Sequence, residues 1–161
     1  MRKDARLNRL KKLQYMLNNH DTIFINVKFD MGLWADDGKG DIPKTLSCGS
    51  AACALGSATY YPPFMRAGLK MGLYAPMYKQ HVDSDAGVEF FGITCEESSW
   101  LFDPDLYKKT NGRLYSGSTL PRYVTPEVVA KRVKALIKAY SNSNTPETGI
   151  LTDDFRYGLG K

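Results

Sequence analysis

Ser47-Cys48-Gly49-Ser50-Ala51-Ala52-Cys53-Ala54-Leu55-Gly56-Ser57-Ala58 is the stretch on which the reading of this chain turns. Leu55 is its one large residue, and it carries no charge. Alanine is the best helix former, and no β-branched residue occurs before Thr59, so the composition predicts a helix. Ser47 suits the N-cap, because its hydroxyl can accept from an orphaned backbone N–H of the first turn. Tyr60-Tyr61-Pro62-Pro63 ends the helix, since proline lacks the donor and disfavours helical geometry in the residue before it. A helix without charge or bulk is normally buried, with other backbones pressed against it. It is therefore predicted to be central, with Gly56 at a close contact.

The same stretch sets two thiols five residues apart. Three readings are open and do not exclude one another. Both cysteines can be packing residues, since free cysteine is among the most buried residue types. Cys48, predicted at the helix N-terminus, can be a nucleophile of lowered pKa, titrating below Cys53. The backbone N–H groups of Cys48, Gly49 and Ser50 can hold an anionic ligand.

Composition narrows the classes. A chain of 161 residues can bury a core without staples. Its 43% apolar and 24% charged residues are those of an ordinary globular protein. Three cysteines and no apolar leader point to a cytoplasmic protein with reduced thiols. No apolar run approaches the roughly 18–20 residues of a membrane span, so no membrane partner is expected. The net charge of +5 has a location: residues 1–20 hold six basic side chains against Asp4, and the other 141 hold sixteen of each sign. A dedicated DNA-binding domain usually spreads Lys and Arg over a face, so nucleic acid ranks behind other partners.

In order, the chain opens with a predicted helix over residues 4–18. Leu7, Leu10, Leu13 and Leu17 form its apolar stripe, and Arg6, Arg9 and Lys12 are expected beside it in water, available to an anionic ligand or acidic partner. Asn18-Asn19-His20-Asp21 reads as a stop, with His20 at the helix C-terminus. Ile23, Ile25, Val27 and Phe29 alternate with Phe24, Asn26 and Lys28, which predicts a strand. Asp36, Asp37 and Asp41 stand near glycines, but the spacing is wrong for an EF-hand and no metal site is predicted. Residues 70–86 show no period and read as irregular, with Tyr74 and Tyr78 half-buried. Residues 87–91 read as a second strand. Thr94-Cys95-Glu96-Glu97 is a capping box that opens a short helix to Phe102, with Trp100, Leu101 and Phe102 as core anchors. Asn111-Gly112 signals a turn, with a small hairpin between Lys108 and Tyr115. Thr125-Pro126-Glu127 starts the clearest helix, with Val129, Val133, Leu136, Ile137 and Tyr140 on one face. Residues 141–146 read as a polar linker, and Phe155, Tyr157 and Leu159 as anchors that dock the tail.

Three of these features, in this order, resemble a family. They are Phe29-Asp30-Met31 with Trp34 behind it, the Cys48-to-Gly56 motif, and Phe91-Gly92-Ile93-Thr94 followed by Leu101-Phe102. With Thr125-Pro126-Glu127-Val128-Val129-Ala130, they are similar to a group of small uncharacterised proteins from bacteria and their phages. That group carries F-D-M…W, C-G-T-x-x-C-x-x-G, L-G-L-T…L-F and T-P-E-x-V-A patterns. The resemblance spans about residues 5–140 and implies a shared fold and a phage or mobile-element origin. Ser50 stands where the group often has Thr, and Ser57 where Trp or His is common. A shorter resemblance links Cys48-Gly49-Ser50 to the active-site turn of papain-like cysteine proteases. It implies His81 as base, with Asp83 or Asp85 orienting it. The match is three residues long, and the second cysteine and aromatic of that signature do not follow.

The expected fold is a compact α+β domain over residues 1–140 with a linker and tail over 141–161. The small-residue helix is central, the N- and C-terminal helices pack on it, and the strands near 23–29 and 87–91 form a minor sheet. The favoured function is a non-enzymatic, phage-type accessory protein that binds a protein partner or a small anionic, nucleotide-like ligand through Cys48, Gly49, Ser50, Arg6, Arg9 and Lys12. The alternative is a cysteine-dependent hydrolase or transferase using Cys48, His81 and Asp83. No cofactor is expected on either reading, and the oligomeric state is left open.

Overall fold

Two helices far apart in sequence, α1 (Lys3–Asn18) and α7 (Pro126–Asn142), form the most extensive helix–helix contact in a computed structural model that describes residues 3–107 and 124–142. Both are amphipathic, and the contact follows from their stripes. Leu10, Leu13, Met16 and Leu17 of α1 are fully buried, as are Val129, Val133 and Leu136 of α7. Between them in sequence come α2 (His20–Ile23), β1 (Lys28–Phe29), β2 (Ala35–Asp36), β3 (Ala51–Ala52), α3 (Ala54–Thr59) and α4 (Pro62–Met65). Then follow β4 (Lys70–Met71), β5 (Pro76–Tyr78), β6 (His81–Val82), α5 (Asp83–Phe91), α6 (Cys95–Phe102) and a 3₁₀ turn at Pro104–Leu106. The whole is a single α+β domain with two small sheets.

The decisive stretch divides in two, which corrects the single helix expected from Ser47. Gly49 turns the chain at φ 91°, a left-handed conformation that favours glycine. Ala51 and Ala52 then form the central strand of the first sheet, parallel to Lys28–Phe29 and antiparallel to Ala35–Asp36. Two ladders outweigh the helix propensity of two alanines. The helix begins only at Ala54, and its N-cap is Cys53, whose thiol accepts from the Gly56 N–H at 3.2 Å. All six residues of α3 are buried, so the central, backbone-tight helix is present but short. It touches α1, while α7 lies chiefly against α1 and α6.

Other expectations change for similar reasons. The strand expected over 23–29 shrinks to Lys28–Phe29, because Ile23 closes α2 and Asn26 takes a positive φ of 59°. Ile25 is 68% exposed, while Phe24 and Val27 are buried. His20 opens α2 and is buried, so it is not the surface end of α1. Residues 87–91 belong to α5, not to a strand: Ala86, Gly87, Phe90 and Phe91 are buried on one helical face, and Gly92 caps it in the left-handed region at φ 66°. The segment read as irregular holds the second sheet, the antiparallel meander β4-β5-β6. At the β4–β5 tip, Tyr74 is 84% exposed, while Tyr78 is half-buried.

The capping box is complete, and Trp100, Leu101 and Phe102 are buried as anchors. The last helix runs through Asn142, past the start of the expected linker. The expected hairpin around Asn111-Gly112 and the tail with Phe155, Tyr157 and Leu159 lie outside the described residues.

Candidate functional site

A cleft of about 390 Å³ opens between the loop joining β1 to β2 and the C-terminal half of α6. The loop contributes Met31, Gly32, Leu33 and Trp34. The opposite wall is Ser98, Ser99 and Phe102 of α6, with Asp103 and Pro104 just beyond and Ser84 at the start of α5. Volume and lining fall in the range of small-molecule sites, roughly 300–1,000 Å³, mostly apolar with a few placed polar groups.

Local chemistry fixes both walls. Asp30 starts the loop: its carboxylate accepts from the Gly32 N–H at 3.0 Å and pairs with Lys28 at 3.1 Å. The Cys53 N–H donates to the Leu33 carbonyl at 3.1 Å, which moors the loop to the cap of α3. The Trp34 backbone lies directly on Gly56: a Cβ at residue 56 would come within 2.6 Å of the Trp34 carbonyl carbon. The close contact expected at Gly56 is thus made by the cleft loop. On the other side, the Glu97 carboxylate accepts from the Thr94 N–H at 2.9 Å and from the Tyr140 hydroxyl at 2.5 Å. The Ser98 hydroxyl donates to the Ser84 carbonyl at 3.3 Å and ties α6 to α5. Arg132 of α7 donates to the Trp100 and Leu106 carbonyls and lies 3.6 Å over the Tyr107 ring. Asp103 caps the 3₁₀ turn by accepting from the Asp105 N–H at 2.9 Å.

The residues singled out in the sequence lie elsewhere. Cys48 is exposed in the turn before β3, six residues ahead of the helix that it was expected to begin. The cradle expected from Cys48, Gly49 and Ser50 is largely used internally: the Gly49 N–H donates to the Asn26 carbonyl at 3.3 Å and the Ser50 N–H to the Ser47 carbonyl at 2.9 Å. His81 stands in the second sheet, paired with Tyr78. The Asp83 carboxylate accepts from the Ser84 N–H at 2.6 Å, within its own helix start. Cys53 is buried, and burial pushes its thiol up to about 11.

The basic helix is also different from expectation. Arg6 is only 9% exposed, and its guanidinium lies 4.3 Å from the centre of the Tyr140 ring. Arg9 stacks 4.2 Å over Phe90 and donates to the Phe90 carbonyl. Both serve packing, while Lys12 remains exposed. The loop aspartates turn inward on their own backbone: Asp36 accepts from the Gly38 N–H, and Asp37 from the Lys39 and Asp41 N–H groups. No group of three or more His, Cys, Asp or Glu side chains converges on a metal-sized site among the described residues.

One constellation was not anticipated. His20 Nε2 lies 3.3 Å from Ser57 Oγ, and its Nδ1 lies 3.4 Å from Asp21. The order Asp-His-Ser resembles a hydrolase relay, but Ser57 is fully buried and does not line the cleft. The His20 ring packs against Phe24 and Phe29, so its geometry is that of a core histidine. Ser57 thus meets an imidazole ring from α2.

No known protein family, curated protein or solved structure matches this chain. No helix among the described residues is long and apolar enough to cross a membrane. The sequence signal for the cleft was the run from Met31 to Trp34, noted for a resemblance, and the run from Ser98 to Phe102, whose Trp100, Leu101 and Phe102 read as core anchors; nothing local brings the two together.

Proposed function

We propose that this protein is a non-enzymatic accessory binding protein that takes an apolar group of a small ligand or partner into the cleft between the Met31–Trp34 loop and α6. The observation that carries this reading is the cleft itself, with apolar walls from Met31, Leu33, Trp34, Phe102 and Pro104 and hydroxyls from three serines. Its walls are braced before any ligand arrives, by the Leu33–Cys53 hydrogen bond on one side and the capping box on the other. A preorganised cleft spends little of its binding energy on ordering.

Binding is favoured over cysteine chemistry because Cys48 lies in the turn that leads into β3 of the first sheet, while His81 lies in β6 of the second. A nucleophile needs its base within hydrogen-bond reach. The phage-type setting belongs to the same reading and rests on the resemblance alone.

The test is a fragment screen read by amide NMR shifts. Apolar fragments are expected to move the signals of residues 31–34 and 98–103 together. Ser99→Phe, which fills the cleft from its half-buried wall, is expected to abolish those shifts while the protein stays folded. A screen in which no fragment moves either segment would overturn the binding reading.

A further inference from the structure

Among the described residues, the charge that lines the cleft is opposite in sign to that of the whole chain. Net charge is +5, yet among the described residues that line the cleft the one ionisable side chain is Asp103. Among the described residues its carboxylate accepts from the Asp105 N–H, and a carboxylate has further acceptor capacity beyond one such bond. The other polar lining groups are Ser84, Ser98 and Ser99. The Ser98 hydroxyl has already donated to a carbonyl, so toward the cleft it offers lone pairs.

Among the described residues, the sequence neighbours of the lining keep the sign, while Arg132, the cation that reaches the end of α6, is engaged by the Trp100 and Leu106 carbonyls and the Tyr107 ring. Asp30 begins the loop, Asp83 and Asp85 flank Ser84 in the first turn of α5, and Asp105 follows Pro104. Lys28, on the strand that leads into the loop, is paired with Asp30. The N-terminus of α5 is itself electropositive, but Asp83 and Asp85 answer it, and the Ser84 N–H is taken by Asp83. The basic excess of the chain lies on α1, where Arg6 and Arg9 are stacked on aromatic rings.

We infer that the cleft selects a ligand with an apolar, ring-sized body and a cationic or hydrogen-bond-donating head, an aryl-alkyl amine in chemical class, and rejects the corresponding anion. This rests on the binding reading above and replaces the anionic ligand expected from the sequence. Trp34 and Phe102 are among the lining residues and supply aromatic character there, and an aromatic face also attracts a cation. Asp103 supplies the counter-charge, in a partly water-excluded place where such pairing is screened less than on an open surface.

Three probes with one phenyl ring and different heads separate the possibilities: phenethylamine, 2-phenylethanol and phenylacetate. Binding is followed at pH 7 by the amide shifts of residues 31–34 and 98–103. Phenethylamine is expected to bind at least tenfold more tightly than phenylacetate, with phenylethanol between. Asp103→Asn, whose amide oxygen can still cap the 3₁₀ turn, is expected to weaken the amine until it binds no better than the alcohol. Melting curves verify that this variant is folded. Phenylacetate binding as tightly as the amine, or an Asp103→Asn variant that keeps the full amine preference, would overturn the charge inference and leave the cleft as a binding site. Silence from all three probes, together with the failed fragment screen, would overturn both.

Discussion

Gly56→Ala adds one methyl group where the structure leaves no room for it. The new Cβ would sit 2.6 Å from the Trp34 carbonyl carbon and 3.3 Å from its Cα, and still closer to the carbonyl oxygen. Carbon atoms prefer a separation of about 3.5 Å or more, and the carbonyl oxygen is nearer still, so the loop backbone must retreat by more than about 1 Å. Backbone cannot swing aside as the end of a side chain does. Overpacking of this kind costs about 1–3 kcal/mol. Retreat of the loop also strains the Cys53–Leu33 hydrogen bond, worth about 1 kcal/mol. Alanine offers a helix-propensity gain of about 1 kcal/mol in return. The net expectation is a loss of about 1–3 kcal/mol, which for a chain of this size lowers Tm by roughly 2–12 °C. Circular dichroism melts measure it, and binding of the phenyl probes should weaken in parallel because the displaced backbone carries Trp34. Gly87→Ala is the contrast: its Cβ would meet the Leu55 and Phe102 side-chain ends at 3.2 and 3.3 Å, which can yield by a few tenths of an ångström. It should cost less than Gly56→Ala. If Gly56→Ala melted at or above the wild-type temperature, the seating of the loop on α3 would be refuted.

Iodoacetamide should label Cys48 and Cys95, both exposed, in the native protein and reach buried Cys53 only on unfolding; early Cys53 labelling, followed by mass spectrometry, would contradict its place as the α3 cap. Burial holds the His20 pKa below its ordinary 6.5, against the opposing pull of Asp21 and Glu127. The unfolded chain therefore takes up the proton first, so stability is full above about pH 6.5 and declines as pH falls from there toward the folded pKa. Urea melts should show this decline, and His20→Gln should flatten it between pH 7 and 5; an equally steep decline in the variant would place its origin elsewhere. Arg132→Lys should cost about 1–3 kcal/mol, because an ammonium cannot reach both the Trp100 and Leu106 carbonyls while lying flat on Tyr107. An unchanged melting temperature would show that the guanidinium fork is not needed to hold the end of α6.

Local signals told most about the two long helices and the capped one. Leu10, Leu13 and Leu17 repeat at helical spacing, Pro126 follows Thr125, and Thr94 and Glu97 satisfy each other across one turn. Each can be read within a few residues. The stretch from Ser47 to Ala58 could not, because what makes Ala51 and Ala52 a strand is pairing with residues 28–29 and 35–36. Residues 87–91 misled because Val88, Glu89 and Phe90 alternate by chance across three positions, while the burial of Ala86, Gly87, Phe90 and Phe91 follows the helix. The candidate site was least visible. Its walls come from residues 31–34, 84 and 98–104, and no spacing rule joins them. The fate of the basic residues was hidden in the same way: Arg6 finds Tyr140 and Arg9 finds Phe90 only in three dimensions.

The pairing of α1 with α7 sets a timetable for the chain during its synthesis. The leucine stripe of α1 is made first, and its main cover, the Val129–Leu136 face, is made more than a hundred residues later. At a translation rate of roughly 5–20 residues per second, that interval is on the order of 5–25 seconds. During it, the smaller contacts of α1 with α2, α3 and α5 are what shields the stripe among the described residues. Closing so distant a contact is slow relative to local helix formation. The nascent chain therefore passes through a period in which an apolar helix flanked by arginines is open to chaperones or to the same helix on a neighbouring ribosome. Substitutions that weaken the α7 stripe should raise the insoluble fraction made in cells by more than their cost to the finished fold.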